Sequence, residues 1–175
     1  MNRIGALLPL SSLDDEKIWT EAIAKEPGCP EPSADAQEAL AVLVEDLRRH
    51  VDFTPLGTFS ALDDTLRIAR THLRIERALA ARPETLAIEL PPPVFIIGWA
   101  RTGTTFLHQL LAQDPANRTM PYWESFDPVP PPEGEADTRA PRLDKMLGQL
   151  RFLAPGYDAI HPMTADSPEL SLIHI

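Results

Sequence analysis

Residues 93–107 constrain this chain more than any other stretch. Val94-Phe95-Ile96-Ile97 is a short apolar run and reads as a buried strand. A loop bounded by Gly98 and Gly103 follows, and an apolar-periodic segment begins at Thr104. Strand, glycine-bounded loop and helix start together predict an anion cradle. Glycines let the backbone curl so that several N–H groups point inward, and the positive end of the helix dipole adds to the attraction. The spacing matches the phosphate-loop pattern G-x-x-x-x-G-K-[ST] at Gly98, Gly103 and Thr105. Thr104 stands where that pattern has lysine, and the cation is Arg101, inside the loop.

The stretch Arg101-Thr102-Gly103-Thr104-Thr105 resembles the 5′-phosphosulfate-binding loop of sulfotransferases that use 3′-phosphoadenosine 5′-phosphosulfate (PAPS). The likeness is to the bacterial branch, which carries arginine in place of lysine. It extends from about Ile68 to Glu169 and is densest between Pro93 and Glu124, where Trp123-Glu124 also fits. The resemblance implies an α/β fold of the P-loop nucleotide-binding type with a parallel sheet. It implies PAPS as co-substrate and a hydroxyl group on a small molecule or glycan as acceptor. Gly98, Arg101, Thr102, Gly103, Thr104 and Thr105 would hold the phosphosulfate, with Arg101 also stabilising the reacting group. Glu124 is the residue that resembles the family's catalytic glutamate, the base for the attacking hydroxyl. A full PAPS site also grips the 3′-phosphate and adenine through later elements. The resemblance therefore implies an incomplete domain.

Composition narrows the partners. A formal net charge of −10 disfavours nucleic acid. The single cysteine, Cys29, excludes an internal disulfide. No apolar stretch has the length of a membrane span, and Met1–Leu10 is short for a secretory signal, so the cytoplasm is the expected compartment. No H-E-x-x-H, paired Cys/His spacing or Asp-rich loop points to a metal. Two rival readings stay open from the residues: a P-loop kinase or NTPase, and a non-enzymatic helical interaction module.

Residues 1–90 read as a mostly helical region. Helical patterns run over 13–25, 34–50 and from Ser60 to about Ala81, with breakers at 26–32 and at Pro55-Leu56-Gly57. Arg67, Arg70, Arg74 and Arg77 read as a solvated face of the third helix. From residue 91 to 169 the pattern is α/β. A strand over 94–97, a helix over 104–113 and a second strand over 118–122 predict a βαβ unit with parallel strands. The loop and Glu124 would then share one sheet edge, where open α/β sheets bind ligands. Trp123 would provide a dry wall that raises the pKa of Glu124. Pro128–Pro141 reads as a loop, and 142–153 as a helix. His108 reads as a helix histidine packed under a loop, and His161 as a minor candidate for the acceptor pocket. Ser167-Pro168-Glu169 reads as a helix start. Residues 170–175 resemble a translated sequencing-adaptor end, so a truncated gene product with a foreign tail is expected.

Overall fold

The computed structural model describes residues 13–99, 102–156 and 163–168. It divides into two compact units, Met1–Ile88 and Glu89–Ile175.

Three helices make the first unit: α1 (Asp15–Lys25), α2 (Ala34–His50) and α3 (Pro55–Ala81). Each starts on a side-chain cap that satisfies an otherwise free backbone donor. Asp14 accepts from Lys17 N at 3.0 Å, Ser33 from Ala36 N at 3.3 Å, and Thr54 from Gly57 N at 3.1 Å. The start of α3 corrects the sequence reading. Pro55 opens the helix instead of interrupting it, because the first helical position needs no N–H donor. Ser60 therefore lies inside α3. The core joins Leu13, Ile18, Trp19 and Ala22 to Leu40 and Val44 of α2 and to Ala69 and Leu73 of α3. Two buried threonines complete the inner stripe of α3, and Thr65 satisfies its hydroxyl on the Ala61 carbonyl at 2.8 Å.

The arginine face of α3 is not wholly solvated, which is a second correction. Glu26 at the C-cap of α1 is buried. Arg70 reaches its Oε1 with Nε at 2.9 Å and Nη2 at 2.8 Å. Arg77 lies 3.9 Å from Oε2 and donates to the Pro27 carbonyl at 3.4 Å. A carboxylate at a helix C-terminus meets the negative end of the dipole, and the two guanidinium groups offset that. Arg67 pairs with Asp64 at 2.6 Å on the exposed side. A short 3-10 turn, Pro83–Ala87, ends the unit.

The second unit contains α4 (Thr104–Leu111), α5 (Tyr122–Phe126) and α6 (Arg139–Leu153). Its small core is Leu143, Leu147 and Ala165, packed by Tyr122, Trp123, Phe126, Ala140 and Met163. No strand is present among the described residues, so the expected parallel sheet is not found there. Residues 91–99 carry no regular structure. Val94, Phe95 and Ile97 lie in water, Ile97 at 91% exposure. The physical reason is pairing: a strand gains its hydrogen bonds from neighbours, and these residues have no neighbouring strand among those described. The second predicted strand fails differently. Residues 118–120 are irregular, Pro121 forms an isolated antiparallel bridge with Pro168, and α5 begins at Tyr122. Pro168 is thus in a bridge and not a helix start. Ser167 turns back on the chain, its Oγ accepting from Thr164 N at 2.9 Å. The helix α6 starts three residues before the expected Arg142, with Pro141 in its first turn, where the missing donor is harmless. The tail, 170–175, lies outside the described residues.

Candidate functional site

The loop from Gly98 to Thr104 folds back tightly on its own glycine. A Cβ on Gly98 would stand 2.6 Å from Thr104 Cγ2 and 2.8 Å from Thr102 Oγ1, so the two threonine side chains would have to shift to admit it. Gly103 caps α4 with φ 86°, in the left-handed region that favours glycine. Each glycine of the spacing therefore has its own reason: close approach at 98, backbone sign at 103.

Not every N–H group of the loop points inward as an anion cradle would have it. Thr102 directs both its N–H and its hydroxyl to the Trp99 carbonyl, at 3.3 and 2.7 Å, which closes a turn. Intrahelical bonding begins with Leu107 N on the Gly103 carbonyl at 3.0 Å. The N–H groups of Thr104, Thr105 and Phe106 precede that bond and take no part in the helix ladder, so they are the donors at its positive end. The hydroxyl of exposed Thr105 lies in the same first turn. Arg101 lies outside the described residues, as does His161.

Glu124 sits in the first turn of α5, not at a strand end. A glutamate in the first turn after a proline, where acidic residues are enriched, is the weak signal of this helix start. Arg118, which the sequence reading did not single out, donates from Nη2 to Glu124 Oε1 at 2.6 Å. Glu124 is half-buried and Arg118 exposed. Trp123 does not serve as a bare wall beside Glu124. The guanidinium of Arg139 lies 4.5 Å from the centre of its ring, a cation–π contact. Arg139 is held in place by Asp137, at 2.7 Å, and by the Asp127 carbonyl at 3.1 Å. The Arg139 hydrogen bonds hold the Asp137 carboxyl down at about 2, and the Asp137 hydrogen bond in turn raises the Arg139 guanidinium.

His108, one turn beyond Thr104 on α4, is buried, with Nδ1 3.2 Å from the Pro168 carbonyl oxygen. It is packed under an irregular segment, as a helix histidine packed under a loop was expected to be. Cys29 is free and packs against the helical core of the first unit. Among the described residues, no group of three or more His, Cys, Asp or Glu could hold a metal ion, and no helix is long and apolar enough to cross a membrane.

The loop, its glycines and its arginine position can be set beside known proteins. The model of the sulfotransferase family matches residues 92–173, which span the loop, α4 and Glu124 and reach into the last residues of the chain. Over residues 92–173 the chain is similar to the sulfotransferase family. A crystal structure of the sulfotransferase STF1 from Mycobacterium tuberculosis is 29% identical to this chain with a TM-score of 0.69. The likeness covers 88% of this chain and 44% of that one. The present chain thus spans less than half the length of the sulfotransferase it matches. No curated protein matches it significantly.

Proposed function

We propose that this chain carries the 5′-phosphosulfate-binding part of a PAPS-dependent sulfotransferase. One observation carries the reading: in a segment similar to the sulfotransferase family, Gly98 is closed over by Thr102 and Thr104 while the N–H groups at the start of α4 stay out of the helix ladder. Backbone donors at a helix N-terminus suit a sulfate or phosphate group without reorganisation. Arg101, in the loop, adds a charge that can meet two oxygens at once. Thr104 in the lysine position separates this loop from that of nucleotide kinases.

Sulfuryl transfer breaks the bond from sulfur to the 5′-phosphate oxygen and forms one from sulfur to the acceptor oxygen, in line. The departing phosphate takes on negative charge, which Arg101 and the donors of α4 offset. The acceptor hydroxyl gives up its proton as it attacks, and Glu124 is the carboxylate assigned to receive it. For that role Glu124 Oε1 must exchange its Arg118 partner for the acceptor hydroxyl. The acceptor is a hydroxyl compound whose pocket other loops would shape. A soluble setting in the cytoplasm, where PAPS is available, fits this chemistry.

Binding of PAPS to this chain is the direct test, read from the fluorescence of exposed Trp99 beside the loop. PAPS should quench or shift that emission without Mg²⁺. Gly98→Ala and Arg101→Ala should each weaken binding by about tenfold or more, equivalent to about 1.4 kcal/mol. ATP binding that depends on Mg²⁺ and exceeds PAPS binding would overturn the reading in favour of an NTPase-like site.

A further inference from the structure

We infer that His108 is a positioning residue that holds the phosphosulfate loop in register with the helix carrying Glu124. The inference rests on the proposed function for its purpose, though not for its geometry. The link is made of short steps. Thr104, whose methyl covers Gly98, opens α4, and His108 follows it by one helical turn. His108 is buried, and its Nδ1 lies 3.2 Å from the Pro168 carbonyl. A carbonyl only accepts, so Nδ1 carries the hydrogen. Pro168 bridges to Pro121, and the Pro121 carbonyl receives Glu124 N at 3.0 Å.

The segment 163–168 acts as a strap between these parts. On one side it is anchored firmly. Tyr122 N donates to the Ser167 carbonyl at 2.9 Å and Trp123 N to the Ala165 carbonyl at 3.0 Å. Ala165 N donates to Asp144 Oδ1 at 2.9 Å, Arg151 donates to the Met163 carbonyl, and Ala165 is buried with Leu143 and Leu147. The strap is thereby fixed to α5 and α6. Its grip on α4 is different in kind. Among the described residues α4 packs extensively on no other helix, and its apolar Phe106, Leu107 and Leu110 are exposed. The His108 hydrogen bond therefore carries the orientation of α4 to the strap. A histidine suits this position because an aliphatic side chain there would leave the Pro168 carbonyl without this donor. Transfer in line needs donor and base held to a fraction of an ångström, which gives the link its use.

Hydrogen exchange at the amides of Tyr122 and Trp123 reads the strap directly, because those two N–H groups are closed by it. Three chains are compared: wild type, His108→Phe, and His108→Asn, whose side-chain N–H stands close to where Nδ1–H does. Without ligand, exchange at Tyr122 and Trp123 should be faster in His108→Phe than in wild type and should return towards wild type in His108→Asn. Equal exchange in wild type and His108→Phe would overturn the tether. With PAPS bound at the loop, exchange at the two amides should slow by about fivefold or more in wild type, the lower end of site-to-site coupling. In His108→Phe, PAPS should still bind but leave the exchange unchanged. Slowing of the same size in His108→Phe would overturn the positioning role. Failure of wild type to bind PAPS would instead strike the proposed function, and the ligand-free exchange would still decide the tether.

Discussion

Leu73 of α3 is fully buried with Trp19 and Val44, whereas Ile97, just before the glycine-bounded loop at 98–103, stands almost wholly in water. Both belong to strongly apolar patterns. The pattern around Leu73 has helical spacing and is met by two other helices of the same unit. The pattern around Ile97 is apolar on consecutive residues, as in a strand covered on both faces. A helix makes its own backbone hydrogen bonds and needs partners on one stripe only. A strand needs a neighbour along at least one edge, and one apolar on consecutive residues needs cover on both faces. The first unit therefore buries one apolar stripe of each of its three helices in a shared core, while 94–99 is apolar surface without a cover among the described residues.

Substitution should separate the two regions sharply. Leu73→Ala should cost about 2–5 kcal/mol by removing buried atoms and leaving a cavity. Ile97→Ser should change stability by less than about 0.5 kcal/mol, as for other exposed positions. Urea unfolding followed by far-ultraviolet circular dichroism measures both. A large loss from Ile97→Ser would mean that 94–97 is paired in solution, and the contrast between the regions would fall.

Two carboxylates sharpen the same contrast at intermediate size. Glu26 is buried and gripped by arginines 44 and 51 residues further on. Glu124 meets an exposed arginine only six residues away. Glu26→Ala should destabilise by about 2 kcal/mol, less than for a fully buried pair because Arg70 and Arg77 can turn to solvent. Arg118→Ala should cost under about 1 kcal/mol, as exposed ion pairs do. Equal losses at the two sites, measured in the same unfolding experiment, would make Glu124 a structural residue and weaken its assignment as a base.

Much of this was legible because it is local. The helix Ala34–His50 follows from Ser33 and its apolar spacing, and the loop follows from Gly98, Gly103 and the threonines. What the sequence hid depends on distant partners or on position within a turn. Glu26 lies in a breaker cluster, and nothing near it announces Arg70. Pro55 and Pro141 read as breakers, yet each sits in a first turn, where a proline costs no hydrogen bond. Residues 118–122 have strand-like composition, yet the strap at 163–168 takes the N–H groups of Tyr122 and Trp123 and leaves Glu124 in a helix. A strand over 118–122 gives Arg118 no reason to meet Glu124, whereas the helix α5 brings the two together.

The smallest expected effect concerns Asp137, which supports the Arg139 guanidinium over Trp123. Hydrogen bonds from Arg139 lower its carboxyl from the ordinary 3.8 to about 2. A carboxyl whose folded pKa is depressed contributes stability above its unfolded pKa and loses that contribution as pH falls through the folded value. The Asp137 contribution should therefore begin to fall near the ordinary value of 3.8 and vanish as pH falls through about 2. Carboxyl carbon shifts across an acid titration should show Asp137 protonating near pH 2 in wild type and near its ordinary value in Arg139→Gln. The same substitution uncovers the Trp123 ring, so a change in tryptophan emission should accompany it. No such change is expected for Arg118→Ala, because Arg118 engages Glu124 and not the ring. If Asp137 titrates normally in the wild-type chain, Arg139 is not held as described, and Trp123 regains the open face that a dry wall for Glu124 would require.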